Sequence, residues 1–467
     1  PVVAIQPDAS QAAGPRDAAG SPGDVSQPTP LYSPATARPG FYAAWDNANL
    51  DPTIYHLAGG HQTFGWSLIE PTEGNYEWHY IDGFIEQEAA QGKAVGIGIV
   101  TYNGRWGDGS VVPEWVYGAG AGKITCSGGW VIPKYWDPIF LQKYENFIRA
   151  LGQRYNNDSR IEFIQIGVGV YMETQPCDEG DDQCVLDAMH SDGKSEWDWP
   201  TLVNNIVDIY RRHLDNKRLL LLSEARFLGS ENLRRDWAQH AVDNGVGLQP
   251  AGIHADREWV DFRDRAGYHG AGKYDQMLDQ AYETSSMTWN PVPMAHEMYD
   301  YMIDDPDKPG IQPDPVRFFW AMAAGLSRRI DYLTMRRDVL YEGEPGGART
   351  PIDTHLRIMA WASQYMGKYV AASGQGVTYE KTPSVWVMMR ESGYKDSIYP
   401  QRGNYDFWLQ QDNEVPGGRT KVVTYRREDQ LYVHAGGLGP QHVRPEIITV
   451  DDDPSLSVLK NPDPSDS

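Results

Sequence analysis

No apolar run in this 467-residue sequence approaches the roughly 18 residues that a membrane-spanning helix needs, so no such helix is expected. Basic charge is in short supply as well: 41 Lys and Arg against 64 Asp and Glu leave a net charge of -23. Such a surface repels phosphate backbones and argues against nucleic acid as a partner. Cysteine is scarce, since Cys126, Cys177 and Cys184 are too few for a disulfide framework. The spacing Cys177-x₆-Cys184 suits one local disulfide in an oxidising compartment and leaves Cys126 over. A metal site is the weaker alternative, because no His stands beside the pair. Also missing are an HExxH pair, a nucleophile elbow and a phosphate loop, which argues against zinc proteases, serine hydrolases and NTPases. No metal or organic cofactor is implied.

What is plentiful is aromatic surface, with 16 Trp and 27 Tyr. Flat rings pack against the C–H faces of sugars while their edges keep hydrogen-bonding groups, although the same rings serve equally well as core. Residues 1–38 are the exception, a Pro-, Ala- and Ser-rich stretch too poor in apolar residues to fold alone. This disordered-looking tail is expected to act as a cell-surface tether or as an arm for self-association. The chain opens on Pro1 with no secretory signal, as a matured product would, and the expected location is extracellular or at the cell surface.

From residue 39 to about 372 the chain alternates apolar runs with amphipathic stretches, the pattern of a parallel sheet covered by helices. Eight runs are present: GFYAAWD (40–46), HQTFGWSLI (61–69), AVGIGIVTY (94–102), IEFIQIGVGV (161–170), RLLLLSEA (218–225), PAGIHAD (250–256), PVPMAHE (291–297) and DYLTMR (331–336). Eight strand-helix units over roughly 330 residues predict an α/β fold, a (β/α)₈ TIM barrel. Beyond residue 373, runs such as SVWVMMRE, YDFWLQQ, TKVVTYRR and QLYVHAG between Gly, Pro and Asn turns predict a small C-terminal antiparallel β domain.

Barrel sites lie at the C-terminal ends of the strands, which selects Glu70, Tyr102, Glu173, Glu224, Asp256, Glu297 and Asp338. Aromatic candidates for binding a sugar at or just beyond strand ends are Trp66, Tyr102, Trp106, Trp115, Tyr171, Trp259 and Tyr299. His254 and Asp256 share one face of the sixth run and suit hydroxyl binding, with a structural His equally compatible. Glu224 stands two residues from Arg226 on one strand face, which favours an ion pair.

The stretch FGWSLIEPTEGNYEWHYIDGFIEQEAAQGKAVGIGI (64–99) resembles the second and third strand-helix units of the clan A glycoside hydrolases. The likeness is to the barrel β-galactosidases in particular, through the pattern W-x-x-x-E-P-x-E-G-x-Y-x-W. The resemblance implies retaining hydrolysis of an oligo- or polysaccharide, with an acid/base Glu at the end of the fourth strand and a nucleophilic Glu at the end of the seventh. The matching positions are Glu173, in IQIGVGVYMETQP, and Glu297, in PVPMAHEMYD. It also implies that Glu70 serves structure rather than chemistry. One position departs from the pattern: Met172 stands where the family carries an Asn that binds the sugar 2-hydroxyl. That departure keeps a second expectation open, a non-catalytic carbohydrate-binding or surface-assembly protein on a glycosidase barrel.

Overall fold

The computed structural model describes residues 37–44, 50–105, 107, 109–178, 180–223, 231–249, 292–298, 318, 322, 330–343, 349–363 and 366–367, together with five strands beyond residue 384. Eight strands follow one another around a single sheet: β1 (Gly40–Ala44), β2 (Leu57–Gly65), β3 (Ala94–Val100), β4 (Ile161–Ile166), β5 (Arg218–Leu221), β6 (Gly247–Leu248), β7 (Ala295–Met298) and β8 (Tyr332–Arg336). Every neighbouring pair in the sheet is parallel, and β1 pairs with both β2 and β8. A parallel bridge between Leu248 and Met294 joins the remaining edges at β6 and β7. The ring of strands is continuous, as the alternation of runs and helices predicts.

Helices α1 (His79–Ala89), α2 (Pro138–Tyr155), α3 (Asp182–Ser191), α4 (Trp199–His213), α5 (Glu231–Asp243) and α6 (Asp353–Ala362) follow in chain order. Local chemistry starts α2: Pro138 takes the first helical position, and Asp137 accepts from the amides of Ile139 and Phe140 at 2.8 and 3.2 Å. Its apolar stripe of Phe140, Tyr144, Phe147, Ile148 and Leu151 is buried against the barrel. The α4 stripe, Leu202, Val203, Ile206, Val207 and Tyr210, does the same, and the hydroxyls of Tyr144 and Tyr210 meet at 2.8 Å.

Inside the barrel, Tyr42, Phe163, Leu220, Ala295 and Tyr332 pack as one layer. Gly96 on β3 makes room for it, since a Cβ there would stand 2.2 Å from the Phe163 ring. At the base the register between β3 and β4 skips Glu162, and its carboxylate accepts from the Tyr332 hydroxyl at 2.6 Å, from Arg218 at 3.0 Å and from the Arg38 amide at 3.0 Å. The bulge thus seals one end of the barrel with a paired charge.

Two strands sit elsewhere than the apolar runs predict. β2 is Leu57–Gly65, and Trp66–Ile69, assigned above to its end, form a helical turn. The sixth strand is Gly247–Leu248, just before the run at 250–256, which lies outside the described residues. In the C-terminal region, Val385–Arg390, Arg419–Arg427 and Gln430–Leu438 form an antiparallel sheet, and Glu446–Thr449 pairs antiparallel with Ser457–Lys460. The run YDFWLQQ and residues 1–36 of the N-terminal tail lie outside the described residues.

Candidate active site

Side chains on one barrel strand alternate between interior and exterior, so the interior residues of each strand stack from base to mouth. Above the aromatic layer lies a polar one. His61 Nε2 and Gln165 Oε1 are 2.6 Å apart, Gln165 Nε2 donates to Gln249 Oε1 at 2.9 Å, and Gln249 Nε2 donates to Thr334 Oγ1 at 3.3 Å. This chain crosses the barrel from β2 to β8 with every member buried. Burial drives the His61 pKa down to about 4, so the imidazole is neutral.

Glu297 stands on β7 two residues beyond Ala295 of the interior layer, which puts it on the interior face at the C-terminal end. It is 8% exposed, and Thr334 of β8 is its partner across the ladder. Arg336 follows Thr334 by two on the same face of β8, which brings a cationic residue to the mouth beside Glu297.

Glu173 reaches the rim by a different route. β4 ends at Ile166, but the chain keeps pairing, since Val170 bridges Tyr102 and the Tyr171 amide donates to the Tyr102 carbonyl at 2.8 Å. Tyr171 and Met172 then both take left-handed conformations, with φ of 53° and 72°. Two such residues in succession are costly without Gly and hold only where the surroundings fix them. The Glu173 amide donates back to Val170 at 2.8 Å, and the Gly169 amide donates to the Glu173 carbonyl at 2.8 Å. This tight turn sends Met172 inward, where its thioether packs with Val100 and Leu222, and leaves the Glu173 side chain half-buried, accepting from Gln175 Nε2.

The surroundings that fix the turn include Asp178. Its carboxylate accepts from the Tyr171 hydroxyl at 3.0 Å, the Arg105 amide at 3.0 Å and the Tyr102 hydroxyl at 3.3 Å. Arg105 in turn forms an ion pair with buried Asp181 at 2.7 Å. The loop after β3 is thereby clamped to the loop after β4. Nothing in the sequence pattern singles out Asp178 or Asp181, because a run such as CDEGDDQC reads as solvated, self-repelling charge.

The disulfide joins Cys126 to Cys184, not Cys177 to Cys184. Cys184 lies in the first turn of α3, beside the hairpin of Lys123–Thr125 and Val131–Pro133, and Cys126 leads out of the first strand of that hairpin. Cys177 is buried as a free thiol, and burial pushes its pKa up. The covalent link therefore ties the excursion after β3 to α3, adding to the clamp made by Asp178 and Asp181.

The aromatic candidates divide. Trp66 is fully buried among Phe140, Tyr144 and Phe147, with its indole N–H donated to Glu70 at 2.8 Å. Tyr102 is also fully buried, so neither ring offers a face to a ligand in this structure. Trp115 is half-buried, edge-on to Trp66, and donates to the Glu70 carbonyl at 3.0 Å. Tyr171 is half-buried at the rim. Glu70 itself accepts from Trp66 and, at 2.9 Å, from the Gly74 amide, the structural duty that the resemblance implies. Trp106, Glu224, His254, Asp256, Trp259 and Tyr299 lie outside the described residues, as does the side chain of Asp338.

Residues 60–179 match the family model described as β-galactosidase, of glycoside hydrolase family 42. Over these residues the chain is similar to that glycosidase family. The match contains the stretch 64–99 on which the resemblance rests and runs through Glu173 and Asp178, stopping short of Asp181. Solved structures similar to this chain include the catalytic domain of β-amylase from Paenibacillus polymyxa, at 10% identity and a TM-score of 0.48 over 69% of this chain and 98% of that one. They also include β-galactosidase from the psychrophilic Marinomonas ef1, at 12% identity and a TM-score of 0.43 over 70% of this chain and 59% of that one. A third is the β-galactosidase of the Antarctic haloarchaeon Halorubrum lacusprofundi, at 11% identity and a TM-score of 0.40, covering 70% of this chain and 58% of that one. No curated protein matches the chain.

Proposed function

We propose that this chain is a retaining glycoside hydrolase acting on an extracellular oligo- or polysaccharide. Glu297 is the nucleophile that attacks the anomeric carbon, and Glu173 first donates a proton to the leaving oxygen, then takes one from water. The reading rests chiefly on the placement of Glu297, a buried carboxyl on the interior face of β7 at its C-terminal end. Arg336 on the same side of the neighbouring strand favours the ionised form that a nucleophile needs. Glu173, on the turn after β4, supplies the second carboxyl at the same end of the barrel.

Retention requires the two carboxyl groups to stand about 5 to 5.5 Å apart across one cavity. A crystal structure with the pair more than about 10 Å apart would reject the assignment. Kinetics separate the roles. Glu297→Gln is expected to abolish turnover on every substrate. Glu173→Ala should lose about 100- to 10,000-fold on poor leaving groups while sparing aryl glycosides whose phenolate leaves unaided. Equal losses on both substrate types would remove Glu173 as acid/base. One observation favours the rival reading of a non-catalytic binder: Met172 puts a buried thioether where an amide would otherwise meet a sugar hydroxyl. Hydrolysis of no member of a polysaccharide panel, with binding retained, would select it.

A further inference from the structure

Outside the ring of strands, a cleft of about 460 Å³ opens among α2, α3 and the first turns of α4. Its walls include Trp136, Leu141, Lys194, Trp199, Asn205 and Asp208. Trp197 is 58% exposed on the turn leading into α4, and the two residues after it, Asp198 and Trp199, line the cleft. Its Cα is therefore at most about 7.6 Å from that of Trp199. The indoles that line the cleft are those of Trp136, half-buried on its wall, and Trp199, buried beneath it.

The polar groups around them are already oriented. Trp136 donates its indole N–H to Asp192 at 2.8 Å, and Lys134 holds the same carboxylate at 2.9 Å, which fixes the Trp136 ring. Asp198 accepts from the amide and hydroxyl of Ser195, and Asp208 accepts from His240 at 2.7 Å, yet each carboxylate keeps further lone pairs for a ligand. Trp199 forms the floor, with its N–H given to the Thr174 carbonyl at 2.7 Å. Thr174 follows Glu173, so the cleft backs onto the loop that carries that carboxyl.

This set of groups narrows the ligand. A phosphate ester would meet two carboxylates for one Lys. A purely apolar guest would strip water from Asn205, Asp208 and Lys194 without replacing it. A neutral polyol satisfies both halves, laying C–H faces on indole and hydroxyls on amide and carboxylate. We propose that this cleft is a carbohydrate-binding site on the outer, helical face of the barrel. It holds a short stretch of a neutral glycan, and it does not depend on the roles assigned to Glu173 and Glu297.

Native electrophoresis of the full chain through gels containing galactan, arabinoxylan, mixed-linkage β-glucan or galactomannan tests the proposal. Glu297→Gln is the background, so that hydrolysis does not alter the gel. At least one glycan should retard the protein. Trp136→Ala combined with Asn205→Ala should weaken that retention about 10-fold, as loss of one stacking ring and one amide contact predicts. Thr201→Arg, which fills the cleft from an exposed position, should abolish it. An unchanged melting temperature confirms that each variant is folded. No retardation in any gel, or retardation that survives Thr201→Arg, overturns the proposal.

Discussion

Cys184 has Cys177 seven residues before it in a polar loop, and it bonds instead to Cys126, 58 residues away. Spacing along the chain says which sulfurs are able to meet. Which of them do meet depends on which Cβ atoms the packed elements bring within about 4.5 Å. Here α3 turns Cys184 toward the hairpin while Cys177 sinks into the core. The distinction has an energetic consequence. On the chain-entropy model a loop of this length is worth about 4 kcal/mol, more than a local clamp of seven residues. Cys126→Ser with Cys184→Ser, or reduction of the wild type, is therefore expected to lower the melting temperature by several degrees. Cys177→Ser should leave the disulfide intact and cost about 1 kcal/mol through the buried thiol alone. Differential scanning calorimetry of the three proteins checks this, and a larger loss in Cys177→Ser than in the double variant would contradict it.

At the scale of elements, the strands with dense β-branched runs were the legible ones. AVGIGIV and IEFIQI read directly as β3 and β4 because both of their faces are buried. β2 was displaced because LAGGHQ is weakly apolar: Gly59 and Gly60 are needed where Tyr42 and Glu88 approach, while WSLI looks like strand and is a helical turn. β6 keeps only two residues, too short for any pattern to register. The resemblance assigns Glu173 to the end of the fourth strand, but the double left-handed turn that carries it is not legible, because neither Tyr171 nor Met172 is a residue type that announces such a conformation. Its restraint comes from Asp178, eight residues past Val170, the last residue of the apolar run. Asp178→Asn keeps the shape and exchanges one acceptor for a donor, so a hydrogen bond from Tyr171, Tyr102 or the Arg105 amide is lost. Amides of residues 169–175 are expected to exchange hydrogen at least 10-fold faster in this variant, a loss of about 1.4 kcal/mol in local stability, with β3 and β4 unchanged. Hydrogen-exchange mass spectrometry reads this without any substrate, and unaltered exchange over 169–175 would show that the turn stands without the clamp.

Across the whole molecule, the barrel interior alternates an aromatic layer with a polar one, and the polar layer makes stability depend on pH. A strand-end rule attends to the mouth, so His61, Gln165, Gln249 and Thr334 carry no signal individually; they become a network only when closure sets four strands around one axis. His61 has a folded pKa of about 4, and so does His355, which is fully buried with Nδ1 against the Val339 carbonyl. In the unfolded chain both titrate near 6.5. Between those values the unfolded state binds protons that the folded state does not. Their contribution is therefore complete above about pH 6.5 and falls as the pH drops toward 4, by about 2 kcal/mol for each imidazole between pH 7 and pH 5. The carboxylates held below their usual range, Asp51, Asp158, Asp192 and Asp198, lose their contribution only as the pH falls below about 4, so the two effects occupy separate windows. Urea unfolding at pH 7 and pH 5 should show the wild type losing about 4 kcal/mol from the pair of imidazoles. His61→Gln, which has no proton to take up, should lose only about half as much over the same interval, whatever its stability at pH 7. Equal losses in the two proteins would mean that His61 is reached by water and charges freely, and that the polar layer is not sealed.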